Sequence, residues 1–170
     1  MRALKLIALI GVLLVGAGCT SLDNKRIPPM AVRLQFKTVG DWNTYGIAGA
    51  TSTRSFVKSL QIPAGYPYTA LSATGYGGLL IAGQFIYSGD PLATPPMVYD
   101  LACPVEVKPS VRIEVDRDKN IAVCPQCGST YDIFNFGQPL SGPALDNRYT
   151  LKRYKVTAGG NSGDYLTITY

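Results

Sequence analysis

Histidine is absent from this 170-residue chain. Hydrolytic triads built on imidazole and metal sites with histidine ligands are therefore excluded. Charge is also sparse, at 16% of residues, and the basic side chains (Arg54, Lys58, Lys108, Arg112, Arg148, Lys152, Arg153, Lys155) are scattered, so no nucleic-acid partner is expected. The sequence shows no nucleophile–base pair and no phosphate-cradling glycine loop of the strand-to-helix kind; Gly75–Gly78, "GYGG", enters a strand and reads as a tight turn. Catalysis by the chain alone is not expected, and no small-molecule substrate is identified. Tyr45, Tyr66, Tyr68, Tyr76 and Trp42 read as dispersed core and edge aromatics rather than as a binding patch. The single pronounced apolar run, Leu6–Val15, is too short for a membrane span.

That run sits between a basic start (Arg2, Lys5) and the small residues Gly16-Ala17-Gly18 before Cys19, the layout of a secretory signal. V-G-A-G-C resembles the lipobox of bacterial lipoproteins, which implies a signal peptide over 1–18 and an acylated Cys19 that anchors the chain to a membrane. Thr20 and Ser21 follow, with no Asp beside the cysteine, so the resemblance implies an outer-membrane lipoprotein facing either the periplasm or the surface. Residues 19–30, polar and ending in Pro28-Pro29, read as a lipidated tether. The remaining 31–170 make one domain, and the mature chain keeps fourteen basic and eleven acidic residues, about +3.

Strand and turn signals run through that domain. Val32, Leu34 and Phe36 alternate with Arg33, Gln35 and Lys37, the period of a half-buried strand. Short apolar runs recur at 55–62, 78–86, 97–101, 111–115, 121–124, 151–157 and 165–170, separated by turn clusters such as DRDKN and AGGNSGD. Residues 40–75 are less legible and suit loops or one short helix. The expected class is all-β, a sandwich of short antiparallel strands.

Three cysteines remain beside Cys19: Cys103 in "YDLACPVE", and Cys124 and Cys127 in "CPQCGSTYD". In an oxidising compartment an odd number implies one disulfide with a leftover thiol, or three ligands to one centre. Either requires the three sulfurs to be close. The hairpin VRIEV-DRDKN-IAVC between the two motifs brings their loops side by side.

These loops, followed by "GQPLSGPAL" at 137–145, resemble the Rieske family. There a C-x-H loop and a C-x-x-H-G-S-x-[FY]-D loop bind a [2Fe-2S] cluster under a proline loop carrying G-P-A. The resemblance covers about seventy residues from Tyr99 onward and implies a Rieske-like fold with a cysteine-loop subdomain over about 99–145. It places Cys103, Cys124 and Cys127 at ligand positions. Ser129 and Tyr131 match the hydroxyls that bond cluster sulfur, and Gly142 and Pro143 match the covering loop.

The site departs from that family at both histidines: Val105 stands at the first and Cys127 at the second. A valine leaves one iron a ligand short, so the usual cluster does not form. The export signal adds to this, since it lacks the twin arginines of folded export and a chain threaded unfolded arrives empty. C-P-Q-C-G also resembles a zinc-ribbon knuckle, and with Glu106 as a fourth ligand the spacing is C-x2-E-x17-C-x2-C. Zinc, or a disulfide from Cys103 to Cys124 or Cys127, is the expectation. The implied function is a non-catalytic binding or scaffold lipoprotein with an envelope protein partner. The alternative is electron transfer or redox sensing at a modified [2Fe-2S] centre.

Overall fold

In a computed structural model of the chain, residues 22–159 and 163–170 are described. The expected signal peptide over 1–18 and the lipidated Cys19 lie outside the described residues. Among these residues eleven short strands and two short α-helices follow one another, with a 3-10 turn at Lys58–Leu60: β1 (Val32–Phe36), α1 (Val39–Tyr45), β2 (Thr53–Phe56), β3 (Ala73–Thr74), β4 (Leu79–Ala82), β5 (Met97–Asp100), β6 (Glu114–Asp116), β7 (Ile121–Val123), β8 (Thr130–Asp132), β9 (Gln138–Ser141), α2 (Pro143–Asn147), β10 (Lys155–Ala158) and β11 (Leu166–Thr169). All strand pairs are antiparallel, in three sheets ordered β10-β11-β1-β3, β2-β4-β5 and β6-β7-β8-β9.

The expected all-β class is present, with three layers. The reason lies in β4, whose residues are buried on both faces. Leu79 and Ile81 enter one core with Phe36, Trp42, Phe56, Leu166 and Ile168, while Leu80 and Ala82 enter a second with Tyr99, Leu101, Ile113, Ala122, Tyr131 and Leu151. A strand packed on both sides reads as a continuous apolar run and not as an alternation. β1 instead has one wet face, and its alternating Val32, Leu34 and Phe36 point into the first core in register with β11, Leu34 opposite Ile168.

Within 40–75, the readable signal is a capping box: the Thr38 hydroxyl accepts the Asp41 N–H at 3.1 Å and Asp41 Oδ2 accepts the Thr38 N–H at 3.0 Å. The helix it starts buries Trp42 against Phe36, edge to face at 4.9 Å between ring centroids. Tyr45, Tyr66 and Tyr68 make further edge-to-face pairs against this core.

The strand runs end earlier or start later than their apolar pattern. β4 stops at Ala82; Gly83 follows where a Cβ would stand 2.6 Å from Gly49 O, and Phe85 and Ile86 beyond it are exposed. Arg112 and Arg153 make single bridges, to Ala102 and Tyr99, ahead of the ladders of β6 and β10. Within the segment expected to be a tether, residues 23–27 lie against the fold: Asp23 pairs with Tyr149 and Ile27 is buried.

Candidate metal centre

The first cysteine loop leaves β5 at a buried carboxylate. Asp100 accepts the backbone N–H groups of Tyr76 (2.8 Å), Gly77 (2.9 Å) and Ala102 (2.8 Å) and the Tyr154 hydroxyl (2.7 Å). The "GYGG" turn and the cysteine loop thus hang from one side chain. Burial raises the Asp100 carboxyl, the four donors oppose that, and the net shift is upward. Beyond Ala102 the Cys103 N–H donates to Val111 O at 3.0 Å, and Val107, in the left-handed region at φ 53°, returns its N–H to Cys103 O at 2.9 Å. Tyr76 holds that return from outside, its hydroxyl donating to Val107 O at 3.0 Å.

The second loop joins β7 to β8 and closes on itself. Cys124 N–H donates to Ser129 O at 2.9 Å and Gly128 N–H to Cys124 O at 3.0 Å. Gly128 takes φ 69°, which glycine adopts without steric cost. β9 and α2 then cover the loop: the Ser129 hydroxyl accepts the Ala144 N–H at 3.1 Å.

The two loops bring Cys103, Cys124 and Cys127 together, with all three sulfurs within 4.8 Å of one another. Cys103 Sγ lies 3.7 Å from Cys127 Sγ and 3.5 Å from the Tyr131 hydroxyl, and Cys127 Sγ lies 3.2 Å from the Ser129 hydroxyl. Cys103, Cys124, Ser129 and Tyr131 are fully buried, and Cys127 is half-buried. Burial pushes the Cys124 thiol up to about 12. Burial also raises Cys127, but hydrogen bonds from Ser129 and its sulfur neighbours outweigh it and the net shift is downward. The Tyr131 phenol is raised, chiefly by burial.

No family model matches the chain, and neither a curated protein nor a solved structure matches it.

Two sulfurs each about 2.3 Å from a tetrahedral zinc stand about 3.8 Å apart. The 3.7 Å between Cys103 and Cys127 has that spacing, whereas a disulfide requires about 2.05 Å. The Cys124 sulfur lies within 4.8 Å of both, so three thiols converge with one pair at the spacing of a tetrahedral edge. Glu106 is not brought to the fourth: its carboxylate accepts Gln126 Nε2 at 2.6 Å and lies 3.8 Å from Lys108 Nζ. Val105 packs its side chain toward the second core and offers no ligand atom, so the residues present do not fit a cluster needing two histidines. Gly142 and Pro143 are exposed at the start of α2, and the part of this loop that reaches the centre is Ala144 through Ser129.

Sequence reasoning did not single out Asp100 and Tyr154 as supports of the first loop. The available signal was a lone carboxylate between Tyr99 and Leu101 in an otherwise apolar run.

Proposed function

We propose that this chain is a Rieske-like envelope lipoprotein, anchored through Cys19, whose domain is a non-catalytic binding scaffold. In this reading Cys103, Cys124 and Cys127 hold one zinc-type ion that ties the two cysteine loops together. The convergence of three thiols from two loops, with a 3.7 Å sulfur pair, is the observation that carries it. When bound, zinc supplies a cross-link between the loops with no redox chemistry of its own. The chain does the rest. Asp100 fixes the first loop, Gly128 and the Cys124–Ser129 backbone bonds close the second, and the Ser129 hydroxyl supports the Cys127 sulfur. The fourth position falls to water or to a group from an envelope partner.

A second reading has one observation in its favour. Cys103 and Cys127 need to approach by less than 2 Å to form a disulfide, which would staple the same loops and leave Cys124 as a buried thiol.

Metal analysis, a visible spectrum and thiol counting on the mature protein separate these readings. One zinc per chain, no colour and three titratable thiols after chelation are expected. One thiol in a metal-free sample selects the disulfide. Iron with sulfide and charge-transfer bands overturns the scaffold in favour of a modified [2Fe-2S] centre for electron transfer.

A further inference from the structure

The segment beyond the expected anchor is bound to the fold almost at once. Asp23 N–H donates to Arg148 O at 2.8 Å and Thr150 N–H donates to Asp23 O at 2.8 Å, which sets Asp23 beside Tyr149 as a short parallel bridge. Arg26 then lies with its guanidinium 4.6 Å from the Tyr149 ring centroid, and its Nε donates to Pro104 O at 3.3 Å. Ile27 closes the attachment as a buried side chain. From Asp23 onward the path is set by the domain. Only three residues lie between Cys19 and Asp23, and the four residue steps at full extension reach about 14 Å. The headgroup layer on one side of a bilayer takes about 5–8 Å of that reach. What is left is no more than about the diameter of one helix, so the Asp23 end of the domain cannot stand clear of the membrane.

We propose that the face formed by Leu22–Arg26, Arg148, Tyr149 and α2 seats on the phospholipid headgroups of the bilayer that holds the chain's own acyl anchor. This rests on the acylation of Cys19 in the reading above. The face suits that contact: Leu22 and Leu145 expose apolar side chains while Lys25 and Arg26 present cations, a mixture fitted to a headgroup layer. It also sets the orientation of the sulfur centre. Arg26 binds the carbonyl of Pro104, the residue next to Cys103, so the first cysteine loop lies at the membrane-facing end. The β6–β7 turn around Lys119 is at the other end of β7 from Cys124.

Acylated full-length protein on vesicles of phosphatidylethanolamine and phosphatidylglycerol provides the test. The native chain is compared with one carrying about twenty Gly/Ser residues between Ser21 and Leu22, a tether long enough to free the domain. Lysines are acetylated for short times and read by mass spectrometry. Lys25 is expected to react several-fold more slowly in the native chain than in the extended one, with Lys119 reacting alike in both. Equal Lys25 rates in the two acylated chains overturn the seating and leave the anchor standing. A Cys19 recovered without acyl groups overturns both.

Discussion

The Ser129 hydroxyl stands 3.2 Å from Cys127 Sγ while accepting the Ala144 N–H at 3.1 Å, so one buried side chain links a cysteine of the second loop to the helix that covers it. As a thiol Cys127 donates to that hydroxyl, which can accept from both Ala144 and the sulfur; a zinc-bound thiolate carries no proton and would take the hydroxyl's instead. Ser129→Ala removes the donor and leaves a buried N–H without a partner. The expected result is a loss of about 1–3 kcal/mol in unfolding free energy and zinc release to a chelator about 10–100 times faster. Ser129→Thr, which keeps the hydroxyl, restores most of the retention if the bond to sulfur is what matters. Release rates unchanged in Ser129→Ala would show that the hydroxyl serves the loop alone.

Glu106 and Cys127 separate in the same assay. Because Gln126 and Lys108 hold the Glu106 carboxylate, Glu106→Gln is expected to keep one zinc per chain with affinity changed by less than about threefold. Cys127→Ser removes one of the three sulfurs and is expected to lower affinity by at least about a hundredfold. Competition with a metal indicator dye measures both. A Glu106→Gln protein purified without zinc would make the carboxylate the fourth ligand.

The two loops were legible in the sequence because chemistry fixed their spacing: a C-x-x-C-G turn has few conformations, and a twenty-residue link containing one hairpin returns the chain to Cys103. Glu106 fits the same spacing equally well, and its destination is decided by the side chain of Gln126, which no periodicity encodes. The same division holds for the fold. β1 was visible from its alternation, whereas β8, three residues long, and β9, which contains Pro139, present no pattern and exist through their neighbours. Asp23–Ile27 looked like a linker because it is polar and leads into two prolines. A buried isoleucine, one backbone bridge and the Arg26 side chain attach it to the domain.

Asp100 makes the stability depend on pH in a definite direction. Its folded carboxyl titrates above the ordinary range, so the folded state holds the proton more tightly than the unfolded chain does. Its contribution is fully present below the unfolded pKa and is lost as pH rises through the raised folded value. Asp100→Asn cannot ionise and gives up an oxygen acceptor, with an expected cost of about 1–3 kcal/mol. Urea unfolding from about pH 4 upward should show the gap between wild type and variant narrowing as pH rises. A gap that widens with pH would mean that the four donors outweigh burial and hold the carboxylate ionised.

Gly142 is required for a backbone that other residues avoid. At φ 72° and ψ −167° it occupies a region populated almost wholly by glycine, and a Cβ there would meet Ser129 Cα at 3.1 Å and Ser129 Oγ at 3.2 Å. Gly142→Ala therefore strains the turn and pushes α2 away from the second cysteine loop, at an expected cost of about 1–3 kcal/mol. The consequence should be local before it is global. The Ala144 amide is expected to lose hydrogen-exchange protection while amides of the first core, such as Leu34 and Ile168, keep theirs, and zinc should be released faster than from wild type. If Ala144 stays protected and zinc retention is unchanged, α2 is not a support of the sulfur centre, and the exposed Gly142-Pro143 turn serves chain reversal alone.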